Sequence, residues 1–76
     1  MQAIDHELDL AGLKCPLPAL KTAKFLKGLT PGVRVRVTCT DPMAAIDIPN
    51  LLRETGDELV SQVASGAAIA FLIRKR

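Results

Sequence analysis

The chain has 76 residues, a formal net charge of +2, 49% hydrophobic residues and only 3% aromatic residues. This length predicts a single domain over residues 1–76, with a modest core built from aliphatic side chains. The small charge does not by itself indicate nucleic-acid binding, and two cysteines 24 positions apart form neither a disulfide framework nor a paired CxxC metal motif. We therefore expect no bound metal and no cofactor.

The sequence also lacks the usual signals for export or membrane insertion. Charged side chains at Asp5, Glu7 and Asp9 interrupt the first ten residues, where a signal peptide requires an apolar run. The longest apolar run, Ala67–Ile73, is too short to span a bilayer. We expect a cytoplasmic protein with reduced thiols and no membrane contact.

The first half of the chain predicts a strand, a helix and a second strand. Glu7–Leu10 alternates between polar and apolar residues, as a half-buried strand does. Pro16–Leu29 has a helical composition, with Gly28 as a stop signal. Val33–Cys39 alternates cleanly, which places its valines and Cys39 on one face of a strand that is buried on one side only. We therefore expect helices on one face of the sheet.

The second helix is predicted over Met43–Thr55, with Asp41 as its N-cap and Gly56 as its stop signal. A proline inside a helix interrupts the hydrogen-bond ladder, so Pro49 predicts a break. We expect a short turn over Met43–Ile46, followed by a restarted helix that Asp47 caps.

Two further strands, Glu58–Ala64 and Ala67–Arg74, complete the pattern, with Ser65-Gly66 as a tight hairpin turn. The order β-α-β-α-β-β predicts an α+β fold: a two-layer α/β sandwich with a mixed four-stranded sheet and two helices on one face. The β-α-β units are expected to be parallel with right-handed crossovers, and the final hairpin adds an antiparallel strand.

Cys15 lies where the first strand gives way to the first helix. Pro16 disfavours the helical conformation for the residue before it, so we expect Cys15 at or next to the N-cap. A sulfur there meets free N–H groups and the positive end of the helix dipole, which favour the thiolate. Since Pro16 and Pro18 lack an N–H, Leu17 and Ala19 are the expected donors to the sulfur. The alternative is a buried structural thiol.

The first helix carries an unusual pair of leucines. On a helical wheel Ala19, Ala23 and Leu26 form the core stripe, with Thr22 and Leu29 at its edge. Leu17 and Leu20 fall outside this stripe, beside lysines. They predict a docking surface next to Cys15 that Lys14, Lys21 and Lys24 surround. The alternative is that other loops cover the two leucines.

The missing partners of Cys15 restrict its chemistry. A thioredoxin-like motif needs a second cysteine at position 18, which is Pro18, and a hydrolase needs a histidine base. The sole histidine, His6, belongs to an N-terminal segment that we expect to be mobile. A lone thiol can still hold and release a group such as sulfane sulfur. Cys39 is expected in the core, with a Cys15–Cys39 disulfide or sulfur relay as the alternative.

The motif Gly12-Leu13-Lys14-Cys15-Pro16-Leu17-Pro18, preceded by Leu8-Asp9, resembles the opening signature of the TusA/SirA-like sulfur-carrier family. The resemblance continues at matching spacing through Pro31-Gly32, Thr40-Asp41-Pro42, Asp47-Ile48-Pro49, Glu58-Leu59-Val60 and Phe71-Leu72-Ile73-Arg74-Lys75. It implies the same β-α-β-α-β-β sandwich and a cytoplasmic sulfur relay.

The resemblance also implies a role for Cys15 and a set of partners. Cys15 would accept sulfur as a persulfide from a cysteine desulfurase or a rhodanese and pass it to an acceptor protein. The routes served by the family are tRNA thiolation, molybdenum-cofactor assembly and sulfur oxidation. This is a sulfurtransferase-type carrier rather than a stand-alone turnover enzyme, and we expect a monomer.

Two alternatives come from other functional classes. The first is a small regulatory or protein-interaction module whose thiol is incidental. The second is RNA binding through a basic sheet face and chain end, formed by Arg34, Arg36, Arg74, Lys75 and Arg76. The scarcity of aromatic side chains for base stacking argues against the second, so we expect no direct nucleic-acid binding.

Overall fold

The computed structural model describes residues 4–76, which form four strands and two helices. Their order is β1 (His6–Leu10), α1 (Leu17–Lys27), β2 (Arg34–Cys39), α2 (Ala44–Thr55), β3 (Glu58–Ser65) and β4 (Ala68–Arg74). The predicted β-α-β-α-β-β order and the α+β class are confirmed. The predicted ends of the strands differ from the observed ones by at most one residue.

The sheet is mixed, with the strand order β1-β2-β4-β3. β1 and β2 are parallel, and β4 pairs antiparallel with both β2 and β3. β2 and β3 therefore run in the same direction, as a β-α-β unit predicts, but β4 lies between them. The parallel pairing of β1 with β2 brings Leu10 opposite Cys39, so the loops that follow both strands emerge at the same edge of the sheet.

The hydrophobic core lies between the sheet and the helices. On β2, the buried Val35, Val37 and Cys39 alternate with residues that are only half-buried. These side chains pack with Leu10, Leu26, Ala44, Ile48, Leu52, Phe71 and Ile73. The expected helix layer on one face of the sheet is therefore present, and both helices supply residues to this core.

The buried stripe of α1 differs from the predicted one. It consists of Pro18, Thr22 and Leu26, whereas Ala19 and Ala23 are only half-buried. Thr22 is buried although it is polar, because its hydroxyl donates a 2.7 Å hydrogen bond to the Pro18 carbonyl.

The predicted break at Pro49 is wrong, since α2 is continuous from Ala44 to Thr55 with Pro49 inside it. The first turn of α2 and the turn before it are closed by hydrogen bonds between residues three apart. Ala44 N–H donates to the Asp41 carbonyl, and Ile46 N–H donates to the Met43 carbonyl. Pro49 removes only one donor from the ladder. Burial of Ala44, Ile48 and Leu52 on one face keeps the helix together across it.

The β3–β4 hairpin turns one residue later than predicted. Ser65 pairs with Ala68, so the two-residue loop is Gly66-Ala67 rather than Ser65-Gly66. Gly66 has φ +59°, a left-handed conformation that glycine adopts more readily than residues with a side chain. In the described part of the chain, no helix is long and apolar enough to cross a membrane.

Candidate functional site at Cys15

Cys15 is exposed in the loop between β1 and α1, one residue before the N-cap Pro16. The first turn of α1 is closed by hydrogen bonds from Leu17 N–H to the Lys14 carbonyl at 2.8 Å and from Leu20 N–H to the Pro16 carbonyl at 3.1 Å. The prediction that the Leu17 N–H donates a hydrogen bond to the sulfur is therefore wrong, because this N–H donates to the Lys14 carbonyl instead.

Three long-range hydrogen bonds join the Cys15 loop to the loop and helix that follow β2. Gly12 N–H donates to the Thr40 hydroxyl at 2.8 Å, and Cys15 N–H donates to Oδ2 of Asp41. The Cys15 thiol itself donates to Oδ2 of Asp47 at 3.1 Å. Both the backbone and the side chain of Cys15 are thus held by carboxylates from a distant part of the sequence.

The two aspartates do not have the capping roles predicted for them. The N-cap of α2 is Met43, and no side chain caps that helix. Oδ1 of Asp41 accepts a 3.2 Å hydrogen bond from Met43 N–H, which forms a turn ahead of the helix, while Oδ2 holds Cys15. Asp47 lies in the first turn of the continuous α2 and contacts the thiol.

The electrostatic environment of Cys15 favours the thiol over the thiolate. The hydrogen bond to Asp47 raises the pKa of Cys15, and partial desolvation and the negative charges of Asp47 and Asp41 raise it further. The expectation that the helix N-terminus lowers this pKa is therefore wrong. A carboxylate in direct contact with the sulfur outweighs the partial charges at the end of α1.

A groove of about 330 Å³ runs from Cys15 between α1 and α2. Its α1 side consists of Pro16, Ala19, Leu20 and Ala23, and its α2 side consists of Asp47, Asn50, Leu51 and Glu54. The sulfur lines a mostly apolar groove that carries two carboxylates and an amide. The alanines of α1 keep the groove open because their side chains are short.

The structure divides the predicted docking residues between two places. Leu17 and Leu20 are 43% and 59% exposed, and Leu20 lines the Cys15 groove. Lys14 is exposed beside Cys15 in the chain. Lys21 and Lys24 instead line a second depression of about 490 Å³, together with Leu8, Phe25, Gly28 and Leu29.

Two further apolar residues, at the start of α2, are exposed although the sequence analysis did not include them in the predicted docking surface. Met43 is 45% exposed and Ile46 is 56% exposed. With Leu17 and Leu20, they account for four of the six exposed large hydrophobic residues among residues 4–76. We call these four residues the apolar rim, because they occupy the starts of the two helices that meet at Cys15.

The other candidate groups lie apart from this site. His6 is part of β1 rather than of a mobile segment, and its ring packs edge-on against Phe25 with centroids 5.7 Å apart. It occupies the opposite end of β1 from the Cys15 loop. Cys39 is a free, buried thiol, and burial raises its pKa. Among residues 4–76, no three His, Cys, Asp or Glu side chains are grouped to hold a metal ion.

Comparisons with known proteins show the family to which the chain belongs. Residues 6–75 match the family model for sulfurtransferase TusA. The chain is also 39% identical over 75 residues to the sulfur carrier protein TusA of Allochromatium vinosum, and the match covers 99% of each chain. Both matches include the Cys15 loop and all six elements. The chain therefore belongs to the TusA family of sulfurtransferases.

Proposed function

We propose that Cys15 carries sulfane sulfur as a persulfide, receiving it from one protein and passing it to another. Membership of the TusA family supports a sulfur-carrier role for the chain, and a carrier needs both a donor and an acceptor. The observation that points to Cys15 is its exposure at the end of the groove, since the other cysteine, Cys39, is buried in the core.

The transfer needs no external oxidant or cofactor. Sγ of Cys15 loses its proton and attacks the outer sulfur of a donor persulfide, R–S–SH. A new S–S bond forms on Cys15 while the donor S–S bond breaks, and R–S⁻ leaves and takes up a proton. The products are Cys15–S–SH and R–SH, so atoms and charge balance. Delivery is the same exchange with an acceptor thiol as the attacking group.

The partners we propose are proteins that present or accept sulfur at an exposed cysteine. A cysteine desulfurase or a rhodanese fits the donor role, and the acceptor belongs to tRNA thiolation, molybdenum-cofactor assembly or sulfur oxidation in the cytoplasm. Pro16 and Leu20 line the groove together with Cys15, and Lys14 and Leu17 are exposed close to it in the chain; these four residues would contact such partners. Lys21 and Lys24 would contribute positive charge from the second depression, which α1 also lines. Pro18 is buried, so its role would be to support the start of α1 rather than to contact a partner.

A labelling experiment tests the proposal. The chain is incubated with a cysteine desulfurase and cysteine, and intact mass spectrometry follows the addition of one sulfur, about 32 Da, that a reductant removes. We expect Cys15→Ser to abolish the addition and Cys39→Ser to retain it. A Cys15→Ser protein that is folded by circular dichroism yet still gains the removable sulfur would refute the role of Cys15.

A further inference from the structure

The contact between Cys15 and Asp47 fixes the sulfur at one end of the groove. Asp47 is half-buried in the first turn of α2, so its carboxylate has less freedom than a fully exposed one. Its Oδ2 atom lies 3.1 Å from Sγ of Cys15. Asp41 accepts a hydrogen bond from the backbone N–H of the same cysteine, so both the backbone and the side chain of Cys15 are restrained.

We propose that Asp47 is a positioning residue for sulfur transfer. Its carboxylate accepts the hydrogen bond from the Cys15 thiol and orients Sγ along the groove, until the persulfide of a docked partner displaces the carboxylate from the thiol. This inference rests on the proposed function of Cys15. Free Cys15 is thereby kept as an oriented thiol, which reacts slowly with small electrophiles because the thiolate is the nucleophile. In the docked complex the hydrogen bond breaks, the proton leaves Sγ, and R–S⁻ takes one up as the donor S–S bond breaks.

The charged groups around Cys15 support this role. From α2 the groove presents Asp47 near the sulfur and Glu54 farther along, and the loop after β2 presents Asp41. From α1 the groove presents no charged side chain, because Lys21 and Lys24 line the other depression. Lys14 adjoins Cys15 in the chain. Asp47 contributes most to the raised pKa of Cys15, through its hydrogen bond to the sulfur.

The test compares Asp47→Asn with the wild-type chain in its rate of alkylation by iodoacetamide, from about pH 6 to pH 10. Peptide mass spectrometry separates the label on Cys15 from that on Cys39. Asparagine keeps the size of the side chain but removes its charge, so the pH midpoint for Cys15 should fall. Alkylation at pH 7 should become about twofold faster or more, since a larger thiolate fraction outweighs the lower nucleophilicity of a more acidic thiol.

Glu54→Gln is the matched control, because it removes the same charge from the same groove without touching Sγ. We expect its profile to equal that of the wild type, and Asp47→Glu to return towards the wild-type profile. An Asp47→Asn profile identical to that of the wild type, or an equal shift in Glu54→Gln, would overturn the proposal. Circular dichroism and urea unfolding of each variant separate these outcomes from loss of folding.

The rate at which a cysteine desulfurase loads sulfur onto the Asp47→Asn variant is a second measurement. It distinguishes loss of positioning from a change in the pKa of Cys15 alone. A misdirected sulfur should load about threefold more slowly or worse, although the same thiol is alkylated faster. A loading rate that rises in parallel with alkylation would overturn the positioning role. Wild-type protein that fails to load at all would instead contradict the proposed function, and the alkylation profiles would still report on Asp47.

Discussion

The two cysteines differ in accessibility rather than in the direction of their pKa shifts. The pKa of each is raised, for Cys15 chiefly by the hydrogen bond to Asp47 and for Cys39 chiefly by burial. Cys15 nevertheless lines an open groove, whereas Cys39 has no exposed surface. A reagent in solution can therefore reach Cys15 without any opening of the core, whereas Cys39 is shielded from it.

The burial of Cys39 predicts that the stability of the fold decreases at alkaline pH. In the unfolded chain this thiol ionises near its ordinary pKa of 9.0, whereas in the folded chain the pKa is higher and the thiol stays protonated. Its contribution is therefore complete below pH 9.0 and is lost as the pH rises through the folded-state value. We expect Cys39→Ala to remove this part of the decrease.

Urea unfolding at about pH 7 and about pH 10 measures the effect for both proteins. Cys39→Ala should cost about 1 kcal/mol or more at neutral pH because it leaves a cavity. The difference in the free energy of unfolding between the wild type and Cys39→Ala should then become smaller at alkaline pH. Cys15 and the lysines are present in both proteins, so their titration cancels. A difference that is equal at both pH values would contradict the prediction.

Sequence predicts the parts of the candidate site that depend on neighbouring residues, but not the contacts between residues that are distant in the chain. The sequence predicts the position of Cys15 beside the start of α1, because the signal for it, a proline directly after the cysteine, is local. Local rules predict a cap role for Asp47, whereas its contact with Cys15 spans 32 positions and depends on how the two helices pack. In a continuous α2, the spacing of Asp47, Leu51 and Glu54 places these three residues on one helix face.

At the level of elements, the two helices end at glycines that differ in conformation. Gly28 follows α1 with φ −90°, which residues with a side chain adopt readily. Gly56 follows α2 with φ +83°, in the left-handed region, and its N–H donates to the Leu52 carbonyl at 2.9 Å. Sequence predicted both as stop signals, but the backbone angle of each depends on where the chain goes next.

This difference predicts opposite responses to alanine at the two helix ends. Gly56→Ala should destabilise the fold by about 1 kcal/mol, because a Cβ is strained at positive φ. Gly28→Ala should be neutral or stabilising, since its φ is negative and the nearest atom to a new Cβ is the Phe25 carbonyl oxygen at 4.0 Å. Urea unfolding of both variants tests the pair. Equal losses of stability in the two variants would contradict the conformational explanation.

Local patterns predicted the type and order of all six elements, because strand alternation and turn residues are properties of short segments. They failed at Pro49, where the proline rule indicated a break. A lost ladder bond is a local cost, whereas burial of Ile48 and Leu52 on either side of it is a tertiary gain. The sequence alone does not show which of the two is larger.

On the scale of the whole molecule, two of the three strand arginines on the sheet face away from the helices are paired with carboxylates, whereas Arg34 forms no ion pair within residues 4–76. Arg36 contacts Glu7 at 2.7 Å and Arg74 contacts Glu58 at 2.8 Å. At the end of the chain, Lys75 lies 3.5 Å from the buried Asp57. Exposed pairs of this kind add little stability, but they reduce the positive field that a polyanion needs.

The paired arginines predict that single-stranded RNA binds weakly, with a shallow dependence on salt. Fluorescence anisotropy with a labelled oligonucleotide across a salt series measures this slope. Because Glu7 neutralises Arg36 in the folded chain, Glu7→Gln should strengthen binding and steepen the slope. Arg36→Ala should weaken binding further, because it leaves the Glu7 carboxylate unpaired, but it should change the slope little, because the paired Arg36 makes no phosphate contact to lose. A steep wild-type slope that Arg36→Ala flattens would contradict this prediction and favour an RNA-binding sheet. If the prediction holds, the positive charge of this sheet face does not form an RNA-binding surface.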